Sequence, residues 1–183
     1  LNYQRVKDRL CADIPYERLE EIYRKKTSFA CTASFSSLLF YQRRSLRRGG
    51  FFMRAPLDAE ADRTDLAWAV LADIACSTHE QLQHLVELTG NEGGPILGCG
   101  GGFQSEALCQ MLSDLSGREL RLRAGFRQAT VQGLVTLCND YLGEVPAKRD
   151  SALKTYHPRT GQLIHQYAPA WREARDRAND IKA

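Results

Sequence analysis

Two hydrophobic periods run along this chain, one of about 3.6 residues and one of two, and glycines or prolines separate most of the blocks. Residues 1–26 read as helix in two pieces broken at Pro15, which suits the first position of the second piece; Leu19, Ile22 and Tyr23 then form an i, i+3, i+4 stripe. Residues 28–41 are apolar and rich in Ser, Phe and Tyr, and receive no assignment. Phe51-Phe52-Met53 is a short apolar segment, closed off by Pro56. From Asp62 to Thr89 the pattern predicts one long helix, with Leu71, Ile74, Thr78, Leu82 and Leu85 at spacings of three and four and Gly90 as its stop. Residues 94–99, short and apolar between glycines, predict a buried strand.

Ser105 is placed to cap the next helix, with Glu106 in its first turn, Ala107, Leu108, Met111, Leu112 and Leu115 on one apolar face, and Gly117 at its end. Glu119 to Arg123 alternates, with Leu120 and Leu122 on one side, as a strand with one exposed face does. Gln128 to Leu142 predicts a helix that turns Leu134, Val135, Leu137, Cys138 and Tyr141 inward and stops at Gly143. Residues 144–160, with Pro146 and Pro158, read as a loop. A polar helix over about 163–180 is expected to dock through Tyr167 and Trp171. Helix, strand, glycine turn, helix, strand, helix is an α/β order, and no internal repeat or low-complexity tract interrupts it.

Composition narrows the class without deciding it. The 183 residues suit one medium domain or one lobe of a larger protein, and 43% hydrophobic with 26% charged residues is ordinary for a globular chain. A net charge of +3 does not by itself indicate a nucleic-acid binder, and no stretch approaches the length of a membrane span, so neither nucleic acid nor membrane is an expected partner. The chain opens Leu1-Asn2-Tyr3 without Met or an apolar leader, which leads us to expect a processed product or a fragment. The six cysteines form no CxxC pair and read as buried reduced thiols of a cytoplasmic protein. The four histidines form no metal-binding spacing. The basic run from Gln42 to Arg48, before Gly49-Gly50, reads either as a solvated helix end or as a patch for phosphate or a partner.

The chemistry concentrates in Gly98-Cys99-Gly100-Gly101-Gly102-Phe103-Gln104-Ser105, between the apolar run Pro95-Ile96-Leu97 and an amphipathic helix. Glycines let a backbone approach a ligand closely, and a helix start offers free N–H groups. The segment lacks the Lys-Ser or Lys-Thr of a P-loop, and Phe103 stands where a dinucleotide fingerprint needs glycine. A tight strand-to-helix turn with no ligand therefore stays open as a reading at this point.

The longer register, Gly100-Gly101-Gly102-Phe103-Gln104-Ser105 followed by Gln110-Met111-Leu112-Ser113-Asp114-Leu115-Ser116-Gly117, closely resembles the C-terminal lobe of the FGGY carbohydrate kinases, notably the rhamnulose, fuculose and xylulose kinases. In that family a Gly-Gly-Gly-x-x-Ser/Asn turn is followed by Gln-x-x-Ala-Asp-x-x-Gly at the spacing kept here, with Ser113 in place of Ala. Gln128-Ala129-Thr130-Val131-Gln132-Gly133 resembles the family's Glu-x-x-x-x-Gly helix start, and Tyr156-His157-Pro158 and Tyr167 resemble later features. The resemblance is strong over residues 94–143 and extends over roughly 50–180.

The resemblance implies an α/β, ribonuclease-H-like (actin-like ATPase) fold, with a helical or irregular part over residues 1–50 and the nucleotide-binding domain over 51–183. It also implies transfer of the γ-phosphate of ATP, with Mg²⁺, to a sugar or polyol hydroxyl. The nucleotide-binding roles carry over to Gly100, Gly101, Gly102, Gln104 and Ser105. Two departures bear on the site: Gln128 where the family has Glu, and Phe103 where it has Ala, a ring that either reshapes the purine pocket or stacks on the base. No Asp here corresponds to the family's catalytic base, and Asp58, Asp62 and Asp65 read as partners of a helix start. The chain is thus expected to hold half of an active site, to be inactive alone, and to associate, as a homodimer for example, through apolar surface at Phe51, Phe52 and residues 28–41. A non-catalytic actin-like module and an unrelated α/β protein that binds another anion are the alternatives.

Overall fold

The structure, a computed structural model, describes residues 2–35, 49–53, 55–56, 61–144 and 152–180. Its elements are α1 (Asn2–Leu10), α2 (Tyr16–Lys25), β1 (Cys31–Ser34), β2 (Gly50–Met53), α3 (Arg63–Thr89), β3 (Ile96–Gly98), α4 (Glu106–Ser116), β4 (Leu120–Arg123), α5 (Ala129–Leu142), β5 (Ala152–Tyr156) and α6 (Leu163–Asp180). They fall into two compact units, Leu1–Glu92 with Arg159–Ala183, and Gly93–Pro158. The basic run from Gln42 to Arg48, Asp58 and Pro146 lie outside the described residues.

The first unit is organised around α3. Asp62 caps it, accepting from the Thr64 and Asp65 amides, while the Asp65 carboxylate accepts from the Asp62 amide. Partial burial works against the charge of Asp62, but the bonds from the Thr64 hydroxyl and the two amides outweigh it and hold its carboxyl below the usual range. Asp65 also pairs with Lys26, and both side chains are largely buried. Gly90, at φ 64°, closes the helix in the left-handed conformation.

The buried surface of α3 is wider than the predicted stripe. Ala67, Trp68, Ala69, Val70, Leu71, Ala72, Ala75 and Cys76 are all buried, whereas Thr78 and Leu85 are exposed. Small residues let neighbours approach on several sides at once: β1, α1, α2 and α6 all meet α3. β1 pairs antiparallel with β2, from Cys31↔Met53 to Ser34↔Gly50, and all four β1 residues are buried. This strand lies within the stretch left unassigned; it is buried, and Phe51 and Phe52 are half-buried in β2, so these residues are not the open apolar surface expected of them, while residues 36–41 lie outside the described residues.

Tyr167 and Trp171 dock α6 as expected. The Tyr167 hydroxyl accepts from the Ala33 amide at 3.0 Å and donates to the Ala69 carbonyl at 3.0 Å. Trp171 Nε1 donates to Asp73 at 2.6 Å, and the Phe35 amide donates to the same carboxylate at 3.1 Å. One tyrosine and one aspartate thereby tie β1, α3 and α6 together. Phe29 and Trp68 meet the Tyr167 ring edge-on.

In the second unit, β3 runs parallel to β4 and β5 antiparallel to it, in the order β3-β4-β5. β4 alternates as read, with Leu120 and Leu122 buried and Arg121 and Arg123 exposed. Three expectations are corrected here. β3 is an edge strand with one face open, so Leu97 is exposed and only Gly98 is buried. Residues read as a loop contain β5, which the flanking prolines hid. Helix α5 forms but turns none of its residues into a core: Leu134, Val135, Leu137 and Tyr141 are all exposed.

Candidate functional site

The glycine turn occupies the carboxyl end of β3, the end of a parallel α/β strand where ligands are usually received. Gly100 has φ 99° and ψ 169°, a conformation that only glycine adopts readily, and its amide donates to the Phe126 carbonyl at 2.7 Å. A 3-10 turn, Gly101–Gln104, follows, in which the Phe103 amide bonds the Gly100 carbonyl and the Ser105 amide the Gly102 carbonyl, each at 3.3 Å. Ser105 then caps α4, its Oγ accepting from the Leu108 amide at 3.2 Å, and Gly117 ends the helix at φ 65°. Strand, bend, cap and helix stop all stand where the sequence predicts them.

Within the turn the glycines differ in kind. Gly100 is required by its own backbone. Gly101 and Gly102 are exposed and have no positive φ; a Cβ on Gly102 would meet nothing within 4 Å, and one on Gly101 only the Gln104 Nε2, at 3.6 Å. The fold itself would accept side chains at both. Gln104 is folded back, Nε2 donating to the Gly101 carbonyl at 3.2 Å. Phe103 is turned inward against Gly98.

The polar residues after the turn hold the unit together. Gln110 donates to Asp114 and to the His157 carbonyl, both at 2.8 Å. The fully buried Ser113 Oγ lies 2.8 Å from the Arg118 carbonyl and 3.0 Å from that of Tyr156, so a serine links the end of α4 to β5 where alanine could not. Arg118 in turn donates to the Gly93 and Gly94 carbonyls, at 2.7 and 2.9 Å, fixing the entry to β3. Glu106, beside the turn, pairs with Lys154. Glu119 stands at the opposite end of the sheet from the turn. The Arg121 guanidinium beside it, at 2.6 Å, holds it below the usual carboxylate range.

The structure brings Gly100, Gly101, Gly102, Gln104 and Ser105 into one continuous surface turn. Sequence reasoning missed the Phe126 carbonyl that anchors Gly100, a contact across 26 residues carried by backbone atoms, for which no side-chain pattern exists. It also missed Gln132, whose carboxamide occupies the space a side chain at Gly125 would need. Among the described residues no group of three or more His, Cys, Asp or Glu is placed to hold a metal, and no helix is long and apolar enough to cross a membrane.

Comparison with known proteins bears on this arrangement. Residues 17–139 match the C-terminal domain of the FGGY family of carbohydrate kinases. The chain is 32% identical over 175 residues to YoaC of Bacillus subtilis, a protein named provisionally as a sugar kinase; the match covers 94% of this chain and 36% of that protein. The chain thus spans about a third of that relative's length. A glycerol kinase from Plasmodium falciparum, solved with ADP, superposes with a TM-score of 0.71 at 20% identity, over 93% of this chain and 35% of its own. A ligand-bound xylulose kinase from Lactobacillus acidophilus gives 0.70 at 15% identity, over 98% and 38%. At such identities the likeness is one of fold: α/β, of the ribonuclease-H-like, actin-like ATPase kind.

Proposed function

Because the chain belongs to the FGGY family of carbohydrate kinases, we propose that its glycine turn is the nucleotide seat of an ATP-dependent sugar or polyol kinase. In this reading Gly100, Gly101 and Gly102 lie against the nucleotide, and Gln104 and Ser105 border its adenine side. The observation that carries it is the pair Gly101 and Gly102, which stand in open space with no backbone need to be glycine, as expected where a ligand, not the fold, forbids a side chain. The start of α4 adds a favourable dipole for phosphate.

Among the described residues, the carboxylates near the starts of α3 and α4 are already engaged and do not act as a catalytic base in this reading. Asp62 and Asp65 are committed to the cap of α3, as the sequence suggests, and Glu106 to Lys154. In this reading the carboxylate that deprotonates the acceptor hydroxyl comes from outside these 183 residues, and the chain alone binds nucleotide without turning it over. In this reading Mg²⁺ would be held chiefly by the phosphates of the nucleotide, where it would neutralise their charge.

Gly101→Val is the direct test. The backbone accepts the substitution, so circular dichroism and melting temperature stay as in the native chain, while ATP affinity measured by calorimetry is lost. An unchanged dissociation constant refutes the placement. A panel of pentoses, deoxyhexoses and polyols, assayed with the complete gene product, then tests the acceptor class.

A further inference from the structure

We propose that Phe103 is a positioning residue for the nucleotide turn, acting as a wedge beneath it rather than as a surface for the base; this rests on the nucleotide reading above. The geometry is specific. A Cβ built on Gly98 would stand 2.8 Å from Phe103 Cδ1, 3.1 Å from Cε1 and 2.7 Å from Leu122 Cδ2, so the ring occupies the space over the last residue of β3. The backbone on either side of the ring is tied as well. The Phe103 amide bonds the Gly100 carbonyl at 3.3 Å, and the Phe103 carbonyl receives the thiol of buried Cys109, on α4, at 3.4 Å.

Three contacts therefore hold the bend: the Phe103 ring on Gly98, Cys109 on the Phe103 carbonyl, and the Phe126 carbonyl on the Gly100 amide at 2.7 Å. Gly101 and Gly102, which follow Gly100 and precede the wedge, are exposed, with almost nothing where a side chain would stand. A glycine-rich loop loses much conformational freedom when a ligand orders it. A ring anchored beneath it removes that cost in advance, which is preorganisation by packing. Gly98 is then explained too: it is glycine to admit the ring, whereas Gly101 and Gly102 are glycine to admit the ligand.

The test uses the full 183-residue chain, with ATP as probe and amide hydrogen exchange as a readout that needs no ligand. Phe103→Ala is expected to speed exchange at Gly100 and its neighbours in the turn, leave α4 protected beyond its first turn, and weaken ATP and GTP alike by about tenfold. Phe103→Leu, which keeps an apolar wedge, restores most of the affinity. Gly98→Ala weakens binding, and adding Phe103→Ala to it recovers part of the loss, because the methyl enters the space the ring has left. Loss of affinity with unchanged exchange overturns the proposal and makes the ring a direct contact to the base. Affinity and exchange both unchanged in Phe103→Ala overturn it outright. Failure of the native chain to bind ATP, with the turn still loosened by Phe103→Ala, refutes the nucleotide reading and leaves the wedge as a structural prop only.

Discussion

Helices α3 and α5 both carry long apolar runs, and they meet opposite fates. α3 is buried on nearly every side over its first half, down to Asp73 at 1% exposure, because β1, α1, α2 and α6 all close on it. α5 presents Leu134, Leu137 and Tyr141 to solvent, the last at 91% exposure. The contrast is not one of helix formation. Both helices end in a left-handed glycine, Gly90 and Gly143, and both run to the length the sequence predicts. Apolar periodicity tells which positions want a neighbour; only the rest of the chain decides whether a neighbour arrives.

The sharpest way to break the comparison is to attack the partners of α3. Trp171→Ala removes an indole that is fully buried and takes from the buried Asp73 carboxylate its 2.6 Å donor, leaving the Phe35 amide on the other oxygen. The expected cost in urea unfolding is about 3–5 kcal/mol, enough to unfold a marginal domain. Tyr167→Phe is a finer cut. It leaves the ring contacts intact but takes the Ala33 amide's acceptor and the second donor of the Ala69 carbonyl, for an expected loss of about 1–3 kcal/mol. If both variants melt with the native chain, burial around α3 is not what holds the first unit together.

The counterpart on α5 has a small effect. Leu134→Gln with Leu137→Gln should change unfolding free energy by no more than about 0.5 kcal/mol per site, since neither side chain leaves a core. The same pair should lower the apparent mass in light scattering at high concentration, because several exposed apolar residues on one helix favour association. A cost of the size seen for Trp171→Ala would show that α5 is covered in solution and erase the contrast.

Much of the fold was legible because local chemistry dictates it. Asp62 and Ser105 cap helices, Gly90, Gly117 and Gly143 stop them, and the alternation of Leu120 and Leu122 with arginines makes β4. β1 was not legible, because Cys31, Thr32, Ala33 and Ser34 are small and buried on both faces, which leaves no alternation to read. β5 was hidden for another reason: its pairing with β4 lies some 30 residues away and its own residues, Leu153, Lys154 and Thr155, carry little apolar signal. The site divides in the same way. The glycines and the Ser105 cap announce a strand-to-helix bend, whereas the inward turn of Phe103 onto Gly98 and the Phe126 anchor exist only in three dimensions.

His79 sharpens the comparison at its edge, where the burial of α3 gives out. Its Nδ1 is buried without a hydrogen bond, and burial is the main force pushing the imidazole below its ordinary value near 6.5; nearby Arg172 adds to it and Glu80 opposes it. A histidine held neutral in the folded chain protonates first in the unfolded one. Stability is therefore whole above about pH 6.5 and drains away as pH falls from there towards the lower folded value. His79→Gln should flatten that part of the curve, while carboxylate titration at lower pH remains in both proteins. Matching urea midpoints for the native chain and His79→Gln across pH 7 to 5 measure the difference. A native curve no steeper than the variant's would mean that water reaches His79, and that the buried part of α3 ends a turn earlier than Ser77–Glu80 now marks it.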